Sequence, residues 1–300
     1  MKSREYYITQ TVSNVFCTIV ALMAILPFIL LVMASFTDNE WAVANGFSFL
    51  PKELSLEAYR YIGVRWEMIG KAYLMTILVT VVGTAMSVII STTFAYGISN
   101  TQIPGMKFFS FMLIFTMLFN GGLVASYYSY VKIFHIKDTI WALLIPGLMM
   151  NAFNVILIRN YFRNSIPPSL TEAARIDGAS EFRIFLKIIM PLSKPIVATT
   201  GLLTALAYWN DWQNGMYYLS ERGGGHLYTI QIILNNINEN IQVLAQNASM
   251  AASIGAGNVK FPSTTVRMAI AVIGILPIVI MYPFFQRYFV KGITLGGVKE

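Results

Sequence analysis

The chain alternates long apolar runs with shorter polar segments, and the length of the apolar runs is typical of membrane-spanning helices. The runs cover residues 13–35, 72–98, 108–123, 139–158, 196–212 and 267–289. A span needs about 20 mainly apolar residues. The first run is longer than the apolar core of a signal peptide and five others follow it, so we interpret it as a retained span. The pattern predicts an all-α, polytopic transmembrane bundle with six spans.

The polar segments suggest how the chain is organised. Residues 1–70 are predicted to form an N-terminal span with a first outer loop, and residues 71–300 a larger core. Within that core the polar segments are 160–191 and 213–265. They interrupt an otherwise apolar chain, so they are the places where contacts outside the membrane are expected.

A short helix is predicted inside the first polar segment. Ser169 and Glu172 have the spacing of a capping box, in which each side chain bonds the other residue's backbone N–H. Residues 170–177 are good helix formers, and Gly178 is placed to end the helix in the left-handed conformation. Two turns are too short to be stable alone in water, so another surface is expected to hold this helix.

Composition agrees with a membrane protein and excludes several site types. Hydrophobic residues make up 56% of the chain and charged residues only 12%, and the mean hydropathy is +0.61, far from the composition of soluble domains. The single cysteine, Cys17, excludes a disulfide framework. One cysteine and two separated histidines, His135 and His226, supply too few ligands for a metal site.

The charge of +7 is distributed in a way that indicates topology rather than nucleic-acid binding. Six spans place both termini on one side. If that side is the cytoplasm, its segments carry 12 of the 21 basic residues but only 5 of the 14 acidic ones, as the positive-inside rule requires. We therefore expect both termini and residues 160–191 to be cytoplasmic, with membrane lipid and no nucleic acid as partners.

No enzyme motif is present. The chain has no GxxxxGK[ST], HExxH or GxSxG sequence, and Gly223-Gly224-Gly225 precedes His226 rather than a Lys-Ser pair, so we interpret it as a flexible turn. We expect no catalytic residues, no metal and no cofactor in this chain. ATP-driven work would need a separate nucleotidase that binds ATP and Mg²⁺.

One pattern in the polar segment carries a family resemblance. Glu172-Ala173-Ala174 is followed by Gly178, by Ile188 and by Met190-Pro191. This spacing resembles the EAA loop of ABC importer permeases, with Met190 as a volume-conserving replacement for the usual Leu. The resemblance implies a type I ABC importer (MetI-like) fold. It also implies contact with an ATPase through Glu172, Ala173, Ala174, Asp177, Gly178 and Pro191.

Two further stretches resemble the carbohydrate-importing branch of that family. They are residues 120–123 with 139–142 and Pro146, and the motif Tyr208-Trp209-Asn210-Asp211-Trp212. Amide, carboxylate and indole groups suit sugar hydroxyls, and aromatic faces suit sugar rings. The resemblance implies that Tyr208, Trp209, Asn210 and Asp211 lie along the substrate path, and an interfacial aromatic belt with a polar cap is the alternative.

The two remaining segments also have counterparts in the family. Residues 291–299 resemble the tail of the maltose-importer permease that reaches between its ATPase partners. Gly296 and Gly297 are therefore implied to lie against an ATPase in extended form, with a frayed terminus as the alternative. Residues 213–265 correspond to the outer loop that reaches toward the solute-binding protein.

The resemblance covers nearly the whole chain and leads to one hypothesis. The chain is expected to be a permease subunit of a binding-protein-dependent ABC importer for oligosaccharides or polysaccharide fragments, including alginate or uronate types. A second, usually non-identical permease, two ATPases and an extracytoplasmic binding protein are the implied partners, in a bacterial inner membrane. The alternatives are a permease for a non-sugar solute, a secondary carrier or a membrane scaffold. No span has an acidic residue near its middle, which disfavours an ion-coupled carrier but not a scaffold.

Overall fold

The structure is a computed structural model, and it describes residues 4–64, 66–100, 103–246 and 263–297. Within these residues the secondary structure is helical, apart from one isolated β-bridge between Thr37 and Leu54. The helices are α1 (Arg4–Ser35), α2 (Asn39–Asn45), α3 (Glu57–Val64), α4 (Trp66–Ser99), α5 (Met106–Leu118), α6 (Gly122–Tyr128), α7 (Trp141–Leu144), α8 (Ala152–Ser165), α9 (Pro168–Ile176), α10 (Glu181–Ile184), α11 (Met190–Leu192), α12 (Lys194–Asn210), α13 (Gln213–Tyr218), α14 (Glu221–Gly224), α15 (Ile230–Gln246) and α16 (Ser263–Gly297). Two π-helical turns, Ser129–Ile133 and Phe185–Ile189, and one 3₁₀ turn, Gly225–Leu227, join some of them. The all-α prediction is confirmed for the described residues.

Length and apolar composition identify three helices that can each cross a membrane. They contain Glu5–Ser35, Trp66–Ser99 and Thr264–Met281. Two bent pairs also pass when each is taken as one span: Met106–Leu118 with Gly122–Ile133, bent by 120°, and Glu181–Leu192 with Lys194–Asn210, bent by 81°. The described residues thus contain between three and five candidate spans rather than the predicted six.

The predicted fourth span, residues 139–158, is where the count differs. The chain forms the single turn α7, breaks at Pro146 and Gly147, and starts α8 only after Asn151. Gly147 has a left-handed φ of +70°, and the Asn151 side chain accepts the N–H of Asn154 at 3.1 Å as a cap. The sequence indicated a kink or helix-packing contact at Pro146-Gly147; the structure has a full break there, because the cap and the proline together favour two shorter helices.

The break leaves backbone carbonyls without helical partners, and buried side chains bond them. The Tyr208 hydroxyl donates to the Leu144 carbonyl at 2.7 Å. The Asn214 amide donates to the Pro146 carbonyl at 3.0 Å. Irregular backbone is tolerated at membrane depth only where protein groups satisfy it in this way. Tyr208 and Asn214 therefore make the broken segment possible.

The helices fall into two compact units, Met1–Ile69 with Leu234–Pro277, and Gly70–Ile233 with Ile278–Glu300. In the first unit, Ser35 is buried and its hydroxyl lies 2.8 Å from that of Tyr59. Asp38 caps α2, and the Asn39 side chain accepts the N–H of Thr264 at 3.3 Å. The division at residue 70 made from the sequence remains a prediction, and residues 247–262 of the predicted outer loop lie outside the described residues.

Among the described residues, the second unit has two apolar cores. One joins α4, α5, α8 and the turn after α10 through Ala95, Ile98, Leu113, Val155, Ile158, Phe162, Ile166, Ile184, Phe185 and Ile189. The other surrounds α7 and the end of α12 with Val79, Ala142, Leu143, Leu144, Tyr208, Tyr218, Leu219, Leu227 and Ile232. A buried hydrogen bond from Asn154 to Thr204, 3.2 Å long, also links α8 to α12.

The first two glycines of the Gly223-Gly224-Gly225 triplet are closely packed and the triplet is helical, which corrects the prediction of a flexible turn. It belongs to α14 and the following 3₁₀ turn. A Cβ on Gly223 or Gly224 would lie 2.7 or 2.8 Å from a carboxylate oxygen of Asp138. The same carboxylate accepts the backbone N–H and the hydroxyl of Ser220. Glycine is present here because the carboxylate lies against the backbone.

We expect Gly83→Ala to lower the free energy of unfolding by about 1–3 kcal/mol, the usual cost of overpacking. A Cβ at Gly83 would lie 2.5 Å from Cζ of Tyr208. That ring is buried and tied to Leu144, so it has little room to move. Thermal unfolding of the purified protein in detergent measures the effect.

Gly97→Ala, on the same helix, is the matched control. Its added Cβ would meet only Met106 Sδ at 4.0 Å. Because alanine favours helix, stability should be unchanged or higher by up to about 1 kcal/mol. Equal melting temperatures for the two variants would contradict the close packing of Tyr208 on Gly83.

Candidate functional site

The helix predicted in the polar segment exists as α9, but it begins earlier than expected. Pro168 occupies its first turn, Pro167 is the N-cap residue, and no side chain caps this end. The predicted capping box of Ser169 and Glu172 was therefore wrong. Proline suits the first helical position, since its missing N–H has no helical partner there and its φ is already helical, so Ser169 lies within the first turn.

The other end of α9 is as predicted. Gly178 has a φ of +75°, and its N–H bonds the Arg175 carbonyl at 3.0 Å. The Ala179 N–H bonds the Ala174 carbonyl at 2.9 Å. These two bonds form a Schellman motif, the glycine-dependent end that the sequence indicated.

Most of α9 is exposed to solvent. It contains no buried residue, and Glu172, Ala173, Asp177 and Gly178 are all exposed. Ala174 is half-buried and packs against the core of α4, α5 and α8. The structure thus brings the EAA residues of one helix together on a surface, while Pro191 lies beyond the next turn.

Large apolar side chains are also exposed around α9. Ile176 is 87% exposed and Phe182 is 71% exposed, and Leu170 and Leu186 are exposed to a smaller degree. Exposed apolar side chains often mark a protein contact, and here they flank the EAA residues along the chain.

A hydrogen-bonded triad beside α9 was missed by the sequence reasoning. Arg175 Nε donates to Glu181 Oε1 at 2.7 Å, and the Tyr96 hydroxyl donates to Glu181 Oε2 at 2.6 Å. The hydrogen bond to Glu181 raises the pKa of Arg175, because a nearby carboxylate favours the charged guanidinium. Tyr96 is 85 residues from Glu181, so no local pattern could have indicated the triad.

Pro191 lies where the chain bends from α10 into α12. The π-helical turn Phe185–Ile189 leads into the single turn α11, which contains Pro191. Buried Ser193 follows, and the chain there turns by 81° into α12. π-Turns are frequent at functional sites, and here one links α10 through α11 to α12, the fifth predicted span.

The four residues predicted to lie along the substrate path differ in how deeply they are buried. Tyr208 is 1% exposed and Trp209 is buried, with its ring 6.4 Å from that of Tyr73. The structure uses Tyr208 for packing. Asn210 is exposed at the end of α12, and Asp211 is half-exposed and accepts the Asn214 N–H at 3.3 Å. Only the last two present polar groups to a solute in this conformation.

The predicted extended tail is helical as far as the structure describes it. Gly296 and Gly297 are the last residues of α16, and residues 298–300 lie outside the described residues. The helix runs on through Pro277 and Pro283 as far as these two glycines. The extended form expected for this stretch was wrong for the described part.

Together these features define a class of protein. Apolar helices of spanning length together with a short, exposed helix between α8 and α10 that has the EAA spacing fit a membrane transport component. A family model described as "Binding-protein-dependent transport system inner membrane component" matches residues 105–295. The chain belongs to this family, whose members are the membrane permeases of ABC transporters. The predicted family and the predicted absence of an ATPase from this subunit agree with that finding.

Individual relatives match along nearly the whole chain. The polygalacturonan/rhamnogalacturonan transport system permease protein YtcP of Bacillus subtilis (strain 168) is 39% identical over 95% of this chain and 96% of its own. Protein LplC of the same strain is 34% identical over 93% and 91%. An arabinooligosaccharides transport system permease protein, AraQ of Halalkalibacterium halodurans, is 27% identical over the full length of both chains.

A solved structure supports the same fold. It is a bacterial ABC transporter involved in the import of the acidic polysaccharide alginate. The likeness has a TM-score of 0.76 and 34% identity, and it covers 96% of this chain and 99% of that one. The predicted MetI-like, all-helical permease fold is confirmed by this likeness together with the family match.

We expect Gly178→Ala to destabilise the end of α9 by about 1–2 kcal/mol, the cost of a left-handed conformation for a residue with a Cβ. No atom lies within 4 Å of the added Cβ, so the effect comes from the backbone alone. Gly178→Asn should lose less, because asparagine tolerates this conformation better. Hydrogen exchange of the α9 amides should be fastest in the alanine variant. Equal exchange in Gly178→Ala and the unaltered protein would contradict this account of the helix end.

Proposed function

We propose that this chain is a permease subunit of an ATP-driven ABC importer for oligosaccharides or polysaccharide fragments. The observation that carries the proposal is α9, an exposed helix with the Glu172-Ala173-Ala174 and Gly178 pattern at the position of an EAA loop. The chain works with a second permease, usually non-identical, two ATPases and an extracytoplasmic binding protein. The family match over residues 105–295 supports each of these partners in general terms.

The ATPase contact is proposed on the exposed face of α9. Glu172, Ala173 and Asp177 offer a small surface with carboxylates at its edges, and Ile176 and Phe182 add apolar area beside it. Small residues allow close approach of another surface, and a Schellman motif holds the end of the helix in one geometry. Movement of the ATPases then moves α9, and α9 moves the spans.

The tail contributes to the same contact in this proposal. Gly296 and Gly297 reach the ATPases at the end of α16, as a helix rather than as an extended strand. Both termini and residues 160–191 face the cytoplasm, because the basic residues concentrate in those segments.

The substrate is proposed to be a fragment of an acidic polysaccharide. Relatives of 39% and 34% identity are named for polygalacturonan and rhamnogalacturonan and for the import of alginate. In the span-five motif Asn210 is exposed and Asp211 half-exposed. They would bond sugar hydroxyls along the path, since a carboxylate facing lipid costs about 3 kcal/mol.

The test of the function is uptake by the reconstituted complex. With a second permease, ATPase subunits and a binding protein in liposomes, we expect ATP-dependent uptake of oligogalacturonate or oligoalginate. Asn210→Ala should lower this uptake without affecting assembly. The chain's own ability to drive uptake without an ATPase would contradict the proposal, and uptake of neutral sugars alone would contradict the acidic substrate.

A second experiment tests α9 itself. Glu172→Ala should strongly impair ATPase association and uptake, because the side chain lies on the proposed contact. Ser169→Ala is the control, since Ser169 is exposed in the first turn and caps nothing. Copurification of the ATPase measures association. Equal behaviour of the two variants would remove Glu172 from the contact.

A further inference from the structure

The triad of Tyr96, Glu181 and Arg175 joins α9 to the end of α4. The Glu181 carboxylate holds the two other side chains through different oxygens, at 2.7 Å from Arg175 Nε and 2.6 Å from the Tyr96 hydroxyl. Both bonds are short and charge-assisted, and such bonds are stronger and more directional than neutral ones. A displacement of Arg175 is therefore transmitted through Glu181 to Tyr96.

The triad lies along a cleft that separates the two elements. The cleft has a volume of about 460 Å³, and Tyr96, Arg163, Glu172, Arg175 and Glu181 are among its lining residues. Because α9 has no buried residue, apolar packing alone holds it weakly against the spans. The cleft leaves room for α9 to shift, and the triad limits how far α9 can move unless α4 moves with it.

Aromatic packing fixes the Tyr96 end of the triad. Its ring centroid is 5.2 Å from that of Phe185 and 6.4 Å from that of Phe162. Phe162 and Phe185 both belong to the core that contains Ala95 and Ile98 of α4. A hydroxyl on a ring held in this way cannot follow Glu181 freely, so a force on Glu181 acts on α4.

We propose that Tyr96, Glu181 and Arg175 form a strut that transmits movement of α9 to the second predicted span, α4. The other route is covalent and runs from α9 through α10 and the π-turn to α12. With both routes, α4 and α12 respond together to one displacement. The inference rests on the proposed coupling role of α9 and adds residues outside the EAA pattern to it.

If the triad only stabilised the fold, its removal would give a different result from the one that the strut predicts. The Arg175 and Glu181 side chains are 41% and 57% exposed, and exposed ion pairs add little to stability. Loss of the strut should therefore leave folding and assembly intact. It should change the number of solute molecules moved per ATP hydrolysed, which a stabilising contact does not set.

The experiment uses the complete complex in liposomes. We expect Tyr96→Phe, which removes only the hydroxyl, to lower uptake per ATP hydrolysed by about five-fold, with the ATPase rate and melting temperature unchanged. Glu181→Gln should do the same, because it removes the charge that holds both partners. Tyr59→Phe is the matched control, since it also loses a hydroxyl bonded to a side chain, that of Ser35, and its uptake per ATP should not change.

The possible outcomes distinguish failure of the strut proposal from failure of the proposed function on which it rests. An unchanged ratio in Tyr96→Phe and Glu181→Gln, with normal ATP-driven uptake in the unaltered complex, would overturn the strut alone. Uptake and ATPase activity that fall in proportion would also overturn it, because coupling would then be intact. Failure of the unaltered complex to take up solute with ATP would overturn the proposed function, and the strut with it.

Discussion

Most of this structure depends on one constraint, that polar backbone groups inside an apolar bundle must find hydrogen-bond partners in the protein. The chain breaks its fourth predicted span at Pro146 and Gly147, and Tyr208 and Asn214 bond the carbonyls that the break frees. Gly83 allows this arrangement, because the Tyr208 ring occupies the space where a Cβ would lie. A residue that resembles a substrate contact in the sequence therefore serves the fold.

The same constraint explains why the proposed coupling helix can be exposed. Its first turn starts with a proline that has no N–H to satisfy, and its last turn ends in a Schellman motif. These ends satisfy part of the backbone of α9, but a helix this short is marginal alone, so the remaining contacts must help to hold it. Its outer face is then available to a partner, and the contact to the spans is reduced to Ala174, Ala179 and the Glu181 triad.

The span-five motif contains both residues that pack in the protein interior and residues that are proposed to bind substrate. Tyr208 and Trp209 are buried, while Asn210 is exposed and Asp211 half-exposed. These neighbours differ because a helix of 3.6 residues per turn points successive side chains in different directions, and because α12 ends at Asn210. A motif can thus combine residues that build the path with residues that are proposed to line it.

The sequence by itself determined the membrane class, the all-helical fold, the family and the glycine end of α9. These follow from apolar run length and from local backbone preferences, which are properties of short stretches of chain. The sequence indicated a kink at Pro146-Gly147, but only the tertiary structure decided that the helix breaks there completely, that Pro168 starts α9 in place of a cap at Ser169, and that Tyr96 meets Glu181. Where neighbouring residues could each define the start of a helix, as Pro168 and Ser169 could, the geometry of the whole turn decides which one does. Contacts between residues 85 positions apart depend on how the helices pack, which no local pattern contains.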